Sequence, residues 1–341
     1  MENTLLKSPE VAIARPNLAF LGIGWIGRHR MEAIADSGFG SVYALSDPTD
    51  AMVKEAANVA PDAKVLDNLE SIIDDKHIEG VVIATPSAMH AAQSISALEA
   101  GKSVFCQKPL ARTAIETRAV VDAAREADKL LGVDFSYRFT KAMQAVYSVV
   151  QSGELGHIYA VQLTFHNAYG PDKSWFYDMR LSGGGCVIDL GIHLVDLALW
   201  ALDFPKVEHV SSRLFSKGQI LKPSDGKVED YATATLDLEG GTNLSLNCSW
   251  NLPAGKEAII EAVFYGTNGG VAFKNVNGSF YNFIAERYYG TKTDILSNAQ
   301  DNWGGRAAVR WAERLSMKEG FNEEAENFIK VAEVLDRIYG R

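Results

Sequence analysis

The sequence predicts an α/β protein of two units: a doubly wound parallel sheet, then an α+β domain on an open, mostly antiparallel sheet. Three observations predict this. Up to about residue 133, short apolar strands alternate with helical stretches, the pattern of right-handed βαβ units. Beyond about residue 158, the strands alternate apolar and polar residues, as antiparallel strands with one buried face do. The 341 residues suffice for two cores.

In order, residues 17–23 form an apolar strand and residues 25–37 a helix. Residues 42–45 form a second strand and 50–59 a helix. A short strand near 65–66 and a helix near 69–74 precede the apolar strand 80–84. An Ala-rich helix over 87–100, a strand over 103–106, a helix over 114–128 and a strand over 130–133 close the series. The domain join falls near 134–140, which divides the chain into an N-terminal tail 1–16, a first domain 17–137 and a second domain 138–341. In the second domain, residues 158–166, 231–238 and 243–250 alternate cleanly, and 258–265, 271–274 and 280–284 add strands. Gly240-Gly241, Asn268-Gly269-Gly270 and Asn277-Gly278 are hairpin-type turns. Residues 186–202 read as a buried helix and 323–339 as an amphipathic one. The outer face of the open sheet needs a cover, and a second subunit supplies one.

Composition narrows the function. Hydrophobic residues are 47% and charged residues 22%, as in globular domains. A net charge of −10 without a long basic run argues against nucleic acid or anionic membrane as partner. The apolar runs break before the length of a bilayer span, and the N-terminus lacks the basic and apolar regions of a secretory signal. Cys106, Cys186 and Cys248 are far apart, so neither a disulfide framework nor a metal site is expected, and a cytoplasmic location is.

Two patterns carry chemistry. Gly22-Ile23-Gly24-Trp25-Ile26-Gly27 ends a strand and opens a helix, and Asp47 ends the next strand. That is the context of a dinucleotide site. Gly22 permits the turn, Gly24 lets the backbone approach a pyrophosphate, Gly27 lets the helix pack closely, and the helix start at Trp25 and Ile26 offers free N–H groups. Asp47 suits ribose hydroxyls and repels a 2′-phosphate, so NAD is expected over NADP. In the buried helix, Asp189, His193 and Asp196 share one stripe. Buried, such groups need partners or a polar cavity. An Asp one turn from a His fixes the imidazole tautomer and raises its basicity. Asp196, a turn deeper, reads as a packing partner, and His29, His77, His157 and His209 as solvated. Gly183, Gly184 and Gly185 read either as close packing near a cofactor or simply as the helix start. The polar, aromatic stretch 166–185 suits hydroxyl rims and C–H faces, with Trp175, Asp178 and Arg180 as first candidates for substrate contact.

Further motifs follow in order: Ala84-Thr85-Pro86 with His90, residues 100–110 ending Gln107-Lys108-Pro109-Leu110, Tyr137-Arg138-Phe139, and Ser182-Gly183-Gly184-Gly185 running into Asp189 and His193. Together they resemble the Gfo/Idh/MocA oxidoreductases, the glucose–fructose oxidoreductase and inositol dehydrogenase family, over nearly the whole chain. The resemblance implies a Rossmann domain binding NAD(P) and a second domain whose sheet forms a homodimer or homotetramer interface. It implies catalytic roles for Lys108, Asp189 and His193. Thr85, Pro86, His90, Gln107 and Lys108 would line the cofactor, and Tyr137 and Arg138 the substrate. Gln107 stands where the family has Glu, and a neutral amide cannot pair with Lys108 as an ion. The function implied is hydride transfer between nicotinamide and a hydroxyl-bearing carbon of a sugar, cyclitol or related polyol. His193 would be the base, Lys108 would polarise the reacting oxygen, and Asp189 would orient substrate or His193. Two alternatives stay open: a non-catalytic dinucleotide-binding sensor and an NAD-dependent glycoside hydrolase.

Overall fold

The computed structural model describes residues 15–222, 225–298 and 300–341; the first fourteen residues of the expected tail lie outside them. Six strands, β1 (Asn17–Leu21), β2 (Ser41–Ser46), β3 (Lys64–Val65), β4 (Gly80–Ile83), β5 (Ser103–Cys106) and β6 (Leu131–Val133), form the first sheet. All its pairs are parallel and the order is β3-β2-β1-β4-β5-β6. The order reverses between β1 and β4, and that switch point sets where a ligand crevice opens. On one face Ala19, Val81 and Val104 pack against Leu98 and Val121 of the helices Ser87–Glu99 and Ala114–Glu126. On the other, Leu18, Phe20 and Phe105 pack against Met31 and Ile34 of the helix Trp25–Ser37.

That second face is completed from far along the chain. The helix Arg306–Ser316 lays Ala308, Trp311 and Ala312 on it. Room for the indole comes from two strand glycines: a Cβ on either Gly80 or Gly132 would lie 2.8 Å from the Trp311 ring. This helix follows the second sheet in sequence and covers the first in space.

Nine strands make the second sheet: β7 (Ile158–Asn167), β8 (Val207–Ser216), β9 (Gln219–Ile220), β10 (Tyr231–Leu238), β11 (Asn243–Ser249), β12 (Ala258–Gly266), β13 (Gly269–Asn275), β14 (Phe283–Tyr289) and β15 (Lys292–Ser297). The order is β15-β14-β13-β12-β7-β11-β10-β8-β9, antiparallel except for β7 with β11. Period-two alternation marks the central strands, whereas β8, β15 and the helix Lys141–Gln151 lie outside the sequence expectations. The strand expected at 280–284 begins instead at Phe283, and Phe280 and Tyr281 are released into a loop. One sheet face buries Leu163, Leu246 and Ile260 against the buried helix. The outer face carries the in-register row Ser211, Thr235, Ser245 and Gln162, exposed or half-exposed.

The buried helix is two pieces: a π-helical turn over Val187–Gly191, then an α-helix over Ile192–Ala201. By length and composition Met179–Ala201 would suffice to cross a membrane, but 89% of its most apolar window is buried inside the protein. It is the core helix of the second domain.

Candidate active site

Gly22 follows β1, Ala84 and Thr85 follow β4, and Gln107 and Lys108 follow β5, all at carboxyl strand ends beside the switch point. They line one cavity of about 1690 Å³, larger than the roughly 300–1,000 Å³ of a pocket for one small ligand.

The three glycines of the turn meet different surroundings. Gly22 has φ +82°, and a Cβ there would lie 2.7 Å from the Ala84 carbonyl oxygen. On Gly27 a Cβ would lie 2.1 Å from the Gly22 oxygen, so Gly27 packs helix on turn and does not line the cavity. A Cβ on Gly24 would meet nothing within 4 Å, and no side chain caps the helix that Gly24 opens. Its first N–H groups are the orphan donors that suit a pyrophosphate. The Asp47 carboxylate braces the turn, accepting from the Ile23 and Thr49 N–H groups at 2.9 Å each. Gly22, Gly24, Trp25, Ile26, Asp47, Thr85, Pro86, His90, Gln107 and Lys108 all line the cavity, so these residues fit a dinucleotide. His90 is buried with its ring nitrogens 2.7 Å from the backbone oxygens of Thr85 and Pro109, so it ties the β4 and β5 loops together. Trp25 and His29 stack at the rim (centroids 6.0 Å apart), which places His29 in the cavity wall rather than in open solvent.

Asp189 and His193 line the same cavity beside Lys108. Lys108 Nζ donates to Asp189 Oδ1 at 2.8 Å and to the Asp189 backbone oxygen at 2.6 Å. Asp189 Oδ2 accepts from Trp250 Nε1 at 3.0 Å. The expected Asp189–His193 pairing is therefore absent: His193 Nδ1 is buried and has no partner among the described residues. The π-turn widens the helix between the two residues and turns the carboxylate toward the lysine. Asp189 thus takes the ion-pair role that Gln107 cannot fill. Gln107 Nε2 donates instead to Asp134, whose carboxylate also accepts from Arg30 Nε at 2.6 Å.

His193 is buried, with Tyr137 edge-on to its ring at 4.8 Å. Burial, then the positive charges of Lys108 and Arg30, hold its imidazole well below its ordinary range. Its neutral, proton-accepting form is thus the resting one at neutral pH. For any reaction in which His193 accepts a proton, the acid limb of kcat/KM is expected well below ~6.5, the value of a free imidazole. A limb at or above that value in a pH–rate profile would contradict this environment.

The start of the buried helix is held by two distant residues. Glu229 accepts from the Gly185 and Val187 N–H groups with its carboxylate, at 2.9 to 3.0 Å, and from Cys186 N–H with its backbone oxygen. The Tyr339 hydroxyl accepts from Ile188 N–H at 3.1 Å and donates to Glu229 at 2.8 Å. The three glycines make the approach possible: Gly183 (φ +84°) ends a short helix, a Cβ on Gly184 would lie 2.1 Å from the Tyr339 hydroxyl, and one on Gly185 would lie 1.9 Å from the Glu229 oxygen. Nothing in the sequence near residue 229 or 339 signals this role.

Of the expected substrate residues, Tyr137 and Trp175 line the cavity with Asp189, His193 and Lys108, and Trp175 stacks on Phe176 with centroids 3.8 Å apart. Three do not. Arg138 turns away to pair with buried Asp196, Nε to Oδ2 at 2.7 Å, which satisfies a carboxylate otherwise stranded in the core. Asp178 caps the helix Met179–Ser182 and pairs with Arg180, whose side chain is 87% exposed. Both stand outside the cavity because a local cap and its neighbour satisfy each other. In their place Phe280, Tyr281, Asp301 and Trp303 complete the rim. The released loop before β14 and the approach to the helix Arg306–Ser316 supply them.

Comparison with known proteins gives the following. The description "Oxidoreductase family, NAD-binding Rossmann fold" matches residues 17–135, and "GFO/IDH/MocA C-terminal domain" matches residues 143–272. The D-glucoside 3-dehydrogenase of Escherichia coli (strain K12) is 31% identical over 239 residues, covering 67% of this chain and 68% of that protein. The myo-inositol 2-dehydrogenase of Thermotoga maritima is 24% identical over 316 residues, covering 92% and 87%. The solved structure of levoglucosan dehydrogenase with NADH and levoglucosan superposes with a TM-score of 0.80 at 22% identity, covering 96% of each chain, a likeness of fold.

Proposed function

The chain belongs to the Gfo/Idh/MocA family of NAD(P)-dependent oxidoreductases, and from that premise we propose that it transfers a hydride at a hydroxyl-bearing ring carbon of a sugar, cyclitol or related polyol. The observation that carries this is the shared cavity: Lys108, Asp189 and His193 line the same space as the glycine turn, together with Trp175, Phe176, Tyr281 and Trp303. The cofactor, when bound, supplies the acceptor or donor of the hydride. His193 takes the hydroxyl proton during oxidation, which its neutral resting state permits. The Lys108 ammonium, held by Asp189, donates a hydrogen bond to the reacting oxygen and stabilises charge developing there. Trp175, Phe176, Tyr281 and Trp303 offer flat apolar surface to ring C–H faces, and the Tyr137 phenol sits beside His193 to meet a neighbouring hydroxyl.

The experiment is NADH formation, followed by absorbance, with NAD and a panel of methyl glucosides, levoglucosan and inositols. Turnover of at least one ring polyol supports the proposal, and tight NAD binding with no turnover across the panel refutes it.

NAD is the preferred cofactor in this reading, because the Asp47 carboxylate lines the cavity at the end of β2 and would meet a 2′-phosphate there with like charge. The expected preference for NAD over NADP is about tenfold or more in kcat/KM, roughly 1.4 kcal/mol. Asp47→Ser is expected to erase most of it by improving NADP. Equal use of both cofactors by the wild-type protein would remove Asp47 from this role. The enzyme works in the cytoplasm in this reading, as a homodimer or homotetramer joined through the polar outer face of the second sheet. Sedimentation equilibrium checks the assembly, and Thr235→Arg, in the middle of that face, is the variant expected to break it.

A further inference from the structure

Asp189 has two carboxylate oxygens and a different partner on each. Oδ1 meets the Lys108 ammonium, and Oδ2 meets the indole N–H of Trp250 at 3.0 Å. The tryptophan is only 3% exposed and stands just past the end of β11, where its backbone N–H donates to the Asp230 backbone oxygen at 2.7 Å. Its ring has Tyr177 edge-on at 5.6 Å and Phe176 at 6.4 Å. Backbone pairing and aromatic packing together leave the indole little freedom to turn. Asp189, by contrast, sits in a π-helical turn, and its neighbour on the helix stripe, His193, offers it no hydrogen bond.

We propose that Trp250 is a positioning residue of the reaction: its indole N–H fixes the Asp189 carboxylate, and through it the Lys108 ammonium, against the cavity wall. Indole is a donor only and does not titrate, so this anchor is constant across the working pH range. The chain of contacts runs from the second sheet through the buried helix to the end of β5, so it sets the distance between the two domains at the reacting position. The contact of Trp250 with Tyr177 and Phe176 places the same ring behind the loop that lines the substrate mouth. The proposal rests on the assignment of Lys108 and Asp189 above.

Trp250→Phe keeps an aromatic ring and removes the donor. With levoglucosan, myo-inositol and methyl β-D-glucopyranoside as probes, kcat is expected to fall about 10- to 100-fold, the range of one hydrogen bond to a charged group. KM and the NADH dissociation constant should stay within a few-fold. In a Lys108→Ala background the same substitution should cost almost nothing, because the group being positioned is gone. Unchanged kcat in Trp250→Phe, or a full additional loss in the Lys108→Ala background, overturns the proposal. Wild-type turnover by Lys108→Ala itself refutes the assignment of the lysine instead, which separates the two failures. A second measurement needs no turnover. The Trp250 indole resonance, identified by its loss in Trp250→Phe, should shift upfield in the ¹H–¹⁵N spectrum of Asp189→Ala and exchange faster with solvent. An unmoved resonance means the contact does not exist.

Discussion

Alanine at Lys108 is expected to lower kcat by at least ~10²-fold, and alanine at His193 to do the same, with NAD affinity held within a few-fold. The reasons differ. Lys108→Ala removes the donor that faces developing charge and leaves the Asp189 carboxylate with Trp250 as its remaining side-chain partner. His193→Ala removes the proton acceptor and should also abolish the acid limb of the pH profile, since that limb belongs to the imidazole. Both groups act on one transition state, so the double variant should be little worse than the more severe single one. Lys108→Arg should not rescue: the guanidinium is longer, planar and bonds as a fork, and the seat between Asp189 Oδ1 and its backbone oxygen is shaped for a point charge. Steady-state kinetics alongside NADH fluorescence titration separate the effects. A fall in kcat and kcat/KM by equal factors, with unchanged NADH binding, marks interactions made in the transition state. If either alanine variant turned over near the wild-type rate, that residue's assignment would be wrong.

The parts of this site that are local in sequence were legible there. The glycine turn and its helix are consecutive residues with one geometry open to them, so the positive φ of Gly22 and the close packing of Gly27 follow from their spacing. The stripe carrying Asp189 and His193 is likewise local, and both residues reach the cavity. Their partners are not local. Asp189 meets Lys108 across 81 residues and Trp250 across 61, and Arg138 meets Asp196 across 58. No periodicity signals contacts at such separations, and an ideal helix drawn through 186–202 paired the wrong groups because it lacked the π-turn. Asp178 and Arg180 failed for the opposite reason: two residues apart, they satisfy one another at a helix cap. The seat of Trp311 shows the same limit in the core. Gly80 reads as an ordinary strand residue until the Arg306–Ser316 helix fills the space above it.

Glu229→Ala is expected to be among the most destabilising single changes available to this protein. The carboxylate is fully buried and accepts from two helix N–H groups and the Tyr339 hydroxyl. Burial pushes its carboxyl above the ordinary range while those donors oppose the shift. Every one of them needs an oxygen lone pair, so the seat is built for the ionised form. Alanine would strand three donors in a place water does not reach, each costing about 1–3 kcal/mol. The sum, roughly 4 kcal/mol or more, falls in the range reserved for broken buried networks and is a large share of a typical domain's stability. Glu229→Gln keeps the shape and one acceptor oxygen, and Tyr339→Phe strands only the Ile188 N–H, so each should lose less. In urea titrations of the cofactor-free protein the midpoints should run wild type, then the two conservative variants, then Glu229→Ala. Activity should follow a different order. Tyr339→Phe releases Ile188, the residue just before Asp189, and should cost kcat out of proportion to its stability loss. A Glu229→Ala protein that unfolds with the wild-type midpoint would show that the helix carrying Asp189 and His193 is secured elsewhere.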